Sequence, residues 1–309
     1  MRKFKAFIVS GIVTVLILSF LKAGYYYLFG VKKIYVLSSE VSFYNKNGLI
    51  EGYEMSYDDC KDEKGNFELK IRLGSHEDRD IGFELSVLIN YEQQSFYIGG
   101  TEEKLFSTKV YVKENSKETT ITLDKDLFTE YRNNMIINIR QDIDQLSYEN
   151  NLVRDSNTLN FTFYITNVDG KSEPNKQTRQ FQNIIIRPLE DTEHDIGIEL
   201  NRPDNKDDPL IRVHENEDIH MSLNIWGMNA EQYIFWAVLD SKQVNIDGNS
   251  YIEVEIDRNM SANAQITIDN NMPVGIYELE LFCIPSPNME SVDIPKKIIS
   301  AKRYTVEVR

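Results

Sequence analysis

Apolar residues recur at every second position through much of the chain beyond residue 34, and this spacing constrains the fold more than any other feature. Successive side chains of a β-strand point to opposite faces of a sheet, so an alternating segment has one face for a core and one for solvent. Segments 67–73, 83–89 and 159–165 all follow this rule. In the first of them the apolar positions are Phe67, Leu69, Ile71 and Leu73. The pattern predicts a protein built from β-strands.

Short polar segments separate the expected strands and mark where the chain turns. Residues 61–66 and 167–170 are rich in turn-forming residues, and the pair Gly99-Gly100 is expected to form a hairpin turn. Only residues 124–132 suggest a helix, and it is a short one. Long amphipathic helices are not predicted, which excludes folds made of alternating strands and helices. Residues 34–190 are therefore expected to form an antiparallel β-sandwich.

Residues 191–309 repeat this alternation and are expected to form a second sandwich. Seven alternating segments are predicted as strands, the first beginning near Ile196 and the last ending near Val308. Seven strands in roughly 115 residues are typical of an immunoglobulin-like fold. The polar, Pro-containing segment 187–194 between the two units is short, so two domains in close succession are predicted.

Residues 272–279, with the sequence Met-Pro-Val-Gly-Ile-Tyr-Glu-Leu, resemble the Pro-x-Gly-x-Tyr turn and strand found late in many bacterial immunoglobulin-like domains. The resemblance implies a positive φ at Gly275 and a packed Tyr277 ring whose hydroxyl finds a backbone partner. It also implies that Trp236 is the buried aromatic residue of the middle strand. No cysteine stands where a partner for Cys283 would be needed, so the disulfide of antibody domains is not expected. The resemblance runs from residue 195 to the C-terminus and implies a fold rather than a function.

A long apolar segment near the N-terminus is expected to anchor the chain in a membrane. It runs from Ala6 to Phe29, and a helix needs about 20 apolar residues to cross a bilayer. Lys22 can extend its amine toward the headgroups, and three tyrosines then lie at the outer interface. The residues expected to form the anchor are Ala6, Phe7, Ile8, Val9, Ile12, Val13, Val15, Leu16, Ile17, Leu18, Phe20, Leu21, Tyr25, Tyr26 and Tyr27.

The charges around this segment predict its orientation. Arg2, Lys3 and Lys5 precede it, which favours a cytoplasmic N-terminus and an extracellular location for the bulk of the chain. A cleaved signal peptide is the alternative, although the segment 21–23 places Leu where a cleavage site needs a small residue. Both interpretations put the chain beyond residue 33 outside the cytoplasm. Residues 1–33 are assigned to a cytoplasmic tip and a single-pass transmembrane anchor.

Composition limits the partners that the chain can have. Its 309 residues carry a formal net charge of −15, and the pI is about 4.8. Nucleic-acid binding is disfavoured because phosphates require clustered Lys and Arg side chains. Cys60 and Cys283 are too few for a disulfide-built scaffold or a Cys-ligated zinc site, and they are not expected to pair with each other.

Candidate metal ligands are sparse. His214 and His220 flank an acidic run, but their spacing matches no zinc motif, and the segment is expected to be a solvated turn that leads into a strand. The Asp-rich segment 202–209 could offer oxygen ligands to Ca²⁺, although Lys206 and Pro209 break the EF-hand pattern. It is expected to be a polar turn, and Ca²⁺ binding there is left open. No metal or cofactor site is predicted.

Catalytic motifs and aromatic residues give no more specific assignment. The chain has neither a G-x-S-x-G nucleophile elbow nor a phosphate-binding G-x-x-x-x-G-K-[ST] loop. Tyrosine is abundant, with 17 residues, and the candidates for exposed rings that contact a sugar or a protein are Tyr91, Tyr97, Tyr111 and Tyr131. No catalytic residue is predicted, and the chain is not expected to be an enzyme.

Three functions are open on the sequence. The preferred one is a membrane-tethered, extracytoplasmic protein that presents two β-sandwiches to a protein partner in the cell envelope, without catalysis. The second is a module that binds carbohydrate or cell wall at the cell surface, which a strip of exposed aromatic residues on one sheet face would favour. The third is an extracellular hydrolase with a loop-built site, which a pocket enclosing paired acids would favour. The partner, the ligand and the oligomeric state are not specified by the sequence.

Overall fold

The structure is a computed structural model, and the part of the chain that it describes begins at residue 39. The described residues are 39–75, 80–113, 115–141, 157–171, 181, 183–188, 197–203, 208–226, 232–256, 260–285, 298–301 and 303–309. Residues 39–309 form a compact unit. The predicted anchor, from Ala6 to Phe29, lies outside the described residues. Within the described ranges, no helix is both long enough and apolar enough to cross a membrane.

Two β-sheets, named A and B here, make up the first part of this unit. Their strands are β1 (Ser39–Asn45), β2 (Gly48–Leu49), β3 (Glu54–Ser56), β4 (Phe67–Ser75), β5 (Ile81–Ile89), β6 (Glu92–Gln94), β7 (Tyr97–Ile98), β8 (Ser107–Val112), β9 (Ser116–Leu123), β10 (Arg132–Gln141) and β11 (Asn157–Thr166). A four-residue helix, α1 (Tyr57–Cys60), follows β3. Sheet A has the order β2-β1-β4-β9-β7, and sheet B has the order β3-β11-β10-β5-β6, with β8 also paired to β5.

The predicted alternation builds the core between sheets A and B. In β4 the four predicted apolar residues are fully buried and the residues between them are exposed. Burying each such side chain contributes about 1.5–3 kcal/mol relative to leaving it in water. Aromatic contacts add to this core, with the Phe43 ring 4.9 Å from the Phe161 and Phe163 rings. The prediction of β-strands from the period of two is confirmed here.

Two further sheets, C and D, make up the second part. Their strands are β12 (Ile184–Pro188), β13 (Gly197–Asn201), β14 (Leu210–Val213), β15 (Ile219–Trp226), β16 (Gln232–Leu239), β17 (Lys242–Val244), β18 (Ile252–Glu255), β19 (Met260–Ile268), β20 (Gly275–Pro285), β21 (Ile299–Ser300) and β22 (Tyr304–Val308). Sheet C has the order β14-β22-β20-β16-β17, with β18 paired to β16 and β21 to β20, and sheet D has the order β12-β19-β15-β13. Strand β12 pairs with β19, although it precedes residue 191, where the second domain was expected to begin.

Residues 272–279, which resemble a turn and strand of immunoglobulin-like domains, agree in part with what the resemblance implies. The Tyr277 hydroxyl donates to the Pro273 carbonyl over 2.9 Å, as expected. Gly275 does not have a positive φ, so that part of the expectation is wrong. A Cβ atom there would lie 2.8 Å from the Tyr277 hydroxyl, so glycine leaves room for the ring. The β-sandwich fold expected from the resemblance is confirmed.

Sheets B and C pack against each other, so the four sheets form layers in the order A, B, C, D. Strands β5 and β10 of sheet B and β16 and β20 of sheet C contribute to an apolar cluster between them, whose buried members are Leu88, Tyr91, Ile136, Ile234, Trp236, Val238, Tyr251, Phe282 and Ile284. Trp236 is buried on the middle strand as expected, but it packs in this cluster rather than in the core between sheets C and D. We call this contact the buried layer.

The remaining sequence predictions concern pairing direction, helices and turns. The all-β fold is confirmed, and every pairing between the described strands is antiparallel except β3 with β11 and β14 with β22. The helix predicted at 124–132 is shorter than expected, because only Lys125–Leu127 form one 3-10 turn. Gly99 and Gly100 have φ angles of 55° and 79° and form a turn as predicted. It is not a hairpin turn, because β7 pairs with β9 and the next strand, β8, pairs with β5.

Candidate functional site

A cleft of about 590 Å³ opens at one end of sheets A and B, and we call it the end cleft. Three chain segments surround it: α1 with the turn after it (57–65), the 3-10 segment (125–129) and the turn at 167–171. Its charged lining residues are Asp58, Lys61, Glu63, Lys64, Lys125, Asp126, Asp169 and Lys171. Turns held at the end of a rigid sandwich are a common place for binding residues. The end cleft is therefore the candidate functional site.

Short-range hydrogen bonds and ring packing shape the end cleft. Asp62 Oδ1 accepts hydrogen bonds from the backbone N–H groups of Lys64 and Asn66, at 2.8 and 2.7 Å, and this closes the predicted turn at 61–66. The Tyr57 hydroxyl donates to the Gly65 carbonyl over 2.7 Å. The Tyr57 ring lies 5.2 Å from the buried Phe128 ring, which gives the cleft an aromatic base.

The turn at 167–171 is fixed by contacts with the 3-10 segment. Asn167 Nδ2 donates to the Phe128 carbonyl over 2.7 Å, and the Lys171 N–H donates to the Thr129 carbonyl over 2.9 Å. A Cβ atom on Gly170 would lie 2.3 Å from the Glu130 carbonyl oxygen, so only glycine allows the two segments to approach this closely. The predicted turn at 167–170 is confirmed and is locked to its neighbour.

The charges of the end cleft are balanced and only partly paired. Four lysines and four carboxylates line it. Lys61 lies 3.8 Å from Asp58, whereas Lys64, Lys125 and Lys171 form no ion pair with any residue that the structure describes. The formal charges of the cleft therefore sum to zero, in a chain whose net charge is −15. A ligand with both signs of charge would match it better than a simple anion or cation.

Two groups beside the cleft, the Tyr57 hydroxyl and the Cys60 thiol, are protonated at neutral pH. Burial, helped by Asp62, Asp126 and Asp58, raises the pKa of Tyr57 to about 12. Burial also raises the pKa of the Cys60 thiol to about 12, and a thiol that stays protonated is a poor nucleophile. The end cleft therefore offers fixed charges and backbone groups suited to recognition.

The end cleft lies at the opposite end of sheets A and B from residue 39. Strand β1 begins at Ser39, which pairs with Ser75 at the end of β4. The turns of the cleft adjoin the other end of β4, where Phe67 pairs with Leu123. A strand rises about 3.3 Å per residue, so the length of β4 separates these two ends by roughly 26 Å.

A second group of charged residues lies inside the buried layer. Arg140 Nη1 is 3.5 Å from Glu84 Oε2 and 3.2 Å from Asp240 Oδ1, and Arg140 Nη2 is 3.0 Å from Glu278 Oε2. Arg303 lies 3.3 Å from Glu280. We call these six residues the buried charge cluster, and four carboxylates there face two guanidinium groups.

Glu280 is the most perturbed carboxyl group of this cluster. Burial raises its pKa to about 7 against the opposing effect of Arg303, and the neighbouring Glu278 raises it further. Paired acids with a raised pKa are the feature that would favour a hydrolase. The cavity beside them is only about 10 Å³, however, which is the space of a single water molecule. Among the described residues, this cavity leaves no room for a substrate beside Glu280.

The structure does not bring the sequence-predicted metal candidates together. His214 belongs to a turn in which its N–H donates to Glu217 Oε2 over 2.7 Å, and His220 Nδ1 lies 3.3 Å from Thr267 Oγ1 on β19. Residues 204–207 of the Asp-rich segment lie outside the described residues. Across the described parts of the chain, no group of three or more His, Cys, Asp or Glu is placed to hold a metal ion.

The four tyrosines predicted as exposed candidates have different environments. Tyr131 and Tyr111 are exposed, at 52% and 39%, and Tyr97 is half-buried. Tyr91 is buried within the buried layer, so the expectation of an exposed ring is wrong there. Tyr131 adjoins the end cleft, since its N–H donates to the Lys171 carbonyl over 2.7 Å.

The buried charge cluster is the arrangement that the sequence analysis missed. Glu278 and Glu280 alternate with leucines in β20, and this pattern is typical of a strand with a solvent-facing side. The same side continues with Phe282 and Ile284, both of which are buried in the layer between sheets B and C. The change along one face of β20 from acidic to strongly apolar residues indicates that this face packs against another sheet.

Comparison with known proteins reveals similarity of fold alone. No protein-family model matches the chain, and no curated protein matches it either. Similar solved structures include red sea bream transglutaminase (9% identity, 92% of this chain, 33% of that chain, TM-score 0.23). Another is the C-terminal domain of the Streptococcus pyogenes antigen I/II-family protein AspA, with 7% identity over 88% of this chain and 99% of that chain and a TM-score of 0.24. A third is the calcium binding domain CBD12 of CALX1.1, with 12% identity over 86% of this chain and 99% of that chain and a TM-score of 0.21. The chain spans about a third of the transglutaminase, and no functional conclusion follows from likenesses this distant.

Proposed function

We propose that this chain is a non-catalytic, extracytoplasmic interaction protein. In this proposal residues 6–29 hold it at a cell membrane, and its end cleft binds a protein partner of the cell envelope. The observation that carries the proposal is the place and make-up of the cleft, a balanced charged surface roughly 26 Å along the strands from residue 39. Only nine residues lie between Phe29 and Ser39, and they span at most about 35 Å. Residue 39, the first described residue after the proposed anchor, and the end cleft are thus at opposite ends of sheets A and B.

The chemistry of the end cleft supports a protein as the partner. Three lysines without ion pairs among the described residues lie beside carboxylates, so a loop with both acidic and basic side chains could pair with both. Exposed apolar surface adjoins these charges, at Tyr131 and at Val168, which is 66% exposed. Protein interfaces combine aromatic anchors of this kind with a polar rim.

The buried layer also supports an interaction role. It joins sheets B and C through apolar contacts and ion pairs, so the end cleft belongs to a unit of four packed sheets. A binding surface that is already ordered avoids part of the entropic cost of association. The cavity at the buried charge cluster is about 10 Å³, which is too small for the substrate of a hydrolase.

Site-specific photocrosslinking in the cells that produce the protein tests the partner assignment. A photoreactive residue would replace Lys125 or Lys171 in the end cleft, and a matched control would replace Lys70, an exposed lysine on the outer face of sheet A. We expect one discrete crosslinked protein from both cleft positions and not from the control. Identical products from all three positions, or none from the cleft, would contradict the proposal.

Fractionation tests the tether separately. The full-length chain should stay in the membrane pellet after alkaline carbonate extraction, whereas a chain that starts at residue 34 should be released. Protease added to intact cells should digest the chain from residue 34 onward. Release of the full-length chain by carbonate, or its protection from external protease, would exclude the proposed topology.

A further inference from the structure

The outer face of sheet D carries an ordered row of uncharged polar side chains. The strand register places Asn224 opposite Asn263 and Ser222 opposite Gln265, and all four side chains are exposed or half-exposed. Asn263 Nδ2 donates to Asn224 Oδ1 and to Ser222 Oγ, and Gln265 Nε2 donates to the same hydroxyl over 3.2 Å. These bonds fix the amide groups across two strands, so their remaining polar atoms are oriented before any ligand binds.

An indole ring lies at one end of this row. Trp226 follows Asn224 on the same face of β15, and Gly197 pairs with it on β13. A Cβ atom on Gly197 would be 2.5 Å from Trp226 Cζ2 and 2.7 Å from Cε2, so the indole occupies the space above the glycine. The ring is half-buried against the sheet and adds an aromatic surface next to the amides.

The row itself is uncharged, which distinguishes it from the outer face of sheet A. Two opposite charges flank it: Glu199 on β13, which accepts a hydrogen bond from the row over 3.4 Å, and the exposed Arg187 on β12. On sheet A, the outward residues of β4 are Glu68, Lys70 and Arg72, and Lys70 lies 3.8 Å from Glu118 on the next strand. Charged side chains of this kind are the usual means of keeping a surface soluble. The row on sheet D instead uses amides and hydroxyls in a chain with 27% charged residues, which solubility alone does not require.

We propose that the outer face of sheet D binds a neutral polysaccharide chain. Amide and hydroxyl groups donate and accept hydrogen bonds, as sugar hydroxyls do, and an indole can pack on the apolar face of a sugar ring. A nucleic acid would require basic residues, and the core of a protein interface would be more apolar. The row from His220 to Trp226 is roughly 20 Å long, enough for several sugar units.

Co-sedimentation of the full-length protein with insoluble neutral polysaccharides tests this proposal. The protein would be held in a detergent without a sugar headgroup and mixed with cellulose, chitin, curdlan or mannan. We expect binding to at least one of the four that persists in 1 M NaCl, since no ion pair is involved. Trp226→Ala and Asn263→Ala should each weaken this binding at least tenfold. The control Tyr111→Ala, which removes an exposed ring from β8, should leave it unchanged.

Fluorescence provides a second measurement on the same protein. The chain has two tryptophans, and Trp236 is fully buried, so quenching by acrylamide reports mainly on Trp226. A soluble oligosaccharide of the bound polysaccharide should reduce that quenching. Failure to bind any of the four polysaccharides, or equal binding by the wild type and both sheet D variants, would overturn the proposal. Because the end cleft is built from other strands, either outcome leaves the photocrosslinking test of the proposed function unaffected.

Discussion

Replacing Glu280 with Gln should remove a loss of folding stability that arises in the buried layer as the pH rises. The side chain is buried between sheets B and C, where Oε1 accepts a hydrogen bond from Thr158 over 2.9 Å and the carboxylate lies 3.3 Å from Arg303. Glutamine has nearly the same shape and keeps the acceptor for Thr158, but it has no proton to lose. The substitution therefore isolates the effect of ionisation from the effect of packing.

The size of the effect follows from the pKa of Glu280. Burial raises this pKa from 4.5 to about 7, so the folded protein holds the proton more tightly than the unfolded chain does. The contribution of Glu280 to stability is then greatest below pH 4.5 and is lost as the pH rises through 7. One pKa unit corresponds to 1.36 kcal/mol, so the stability of Glu280→Gln relative to the wild type should increase by about 3 kcal/mol between pH 4 and pH 8.

Urea unfolding at pH 4, 5, 6, 7 and 8 measures this difference. Both proteins would begin at residue 34, and the fluorescence of Trp236, which is buried in the same layer, would follow the transition. The matched control is Glu118→Gln, which makes the same substitution at an exposed carboxylate on sheet A. A difference between Glu280→Gln and the wild type that stays constant from pH 4 to pH 8 would refute the reasoning.

Three other changes test the packing of the fold. Arg140→Met should lower the free energy of unfolding by about 3–5 kcal/mol at pH 7, measured in urea, because it removes one of the two guanidinium groups that face four carboxylates. Gly275→Ala should cost about 1–3 kcal/mol in the same assay, since the new methyl group would lie 2.8 Å from the Tyr277 hydroxyl. Cys60 and Cys283 are both buried and free, so a thiol reagent such as DTNB should label them only after unfolding, and rapid labelling of the native protein would contradict their burial.

The strands could be predicted from the sequence because burial on one face leaves a period of two. The limit of this reasoning is visible in β16, where Ile234, Trp236 and Val238 were expected to face one core and the residues between them to face solvent. Tyr233, Phe235, Ala237 and Leu239 are apolar as well, and both sets are buried, one in each of two apolar clusters. A run of seven apolar residues is typical of a strand covered on both sides.

The end cleft could not be predicted, although two of its turns were. The turns at 61–66 and 167–170 follow from local chemistry, such as the Asp62 side chain that accepts two backbone hydrogen bonds. Their meeting depends on the parallel pairing of β3 with β11, which joins segments more than 100 residues apart in the chain. Local patterns carry no information about such a pairing.

The buried layer links the two surfaces that we assign to binding. Its apolar contacts are not directional and would allow sheets B and C to slide, whereas the ion pairs of Arg140 join specific strands of the two sheets. Gln93 and Gln243 add a reciprocal pair of bonds, in which each backbone N–H donates to the other side-chain oxygen, at 2.6 and 2.7 Å. Together these contacts fix the register of one sandwich on the other. A partner in the end cleft and a polysaccharide on sheet D would therefore be held at a constant separation. Arg140→Met should loosen the buried layer, so the distance between the two surfaces would vary while each surface stayed intact.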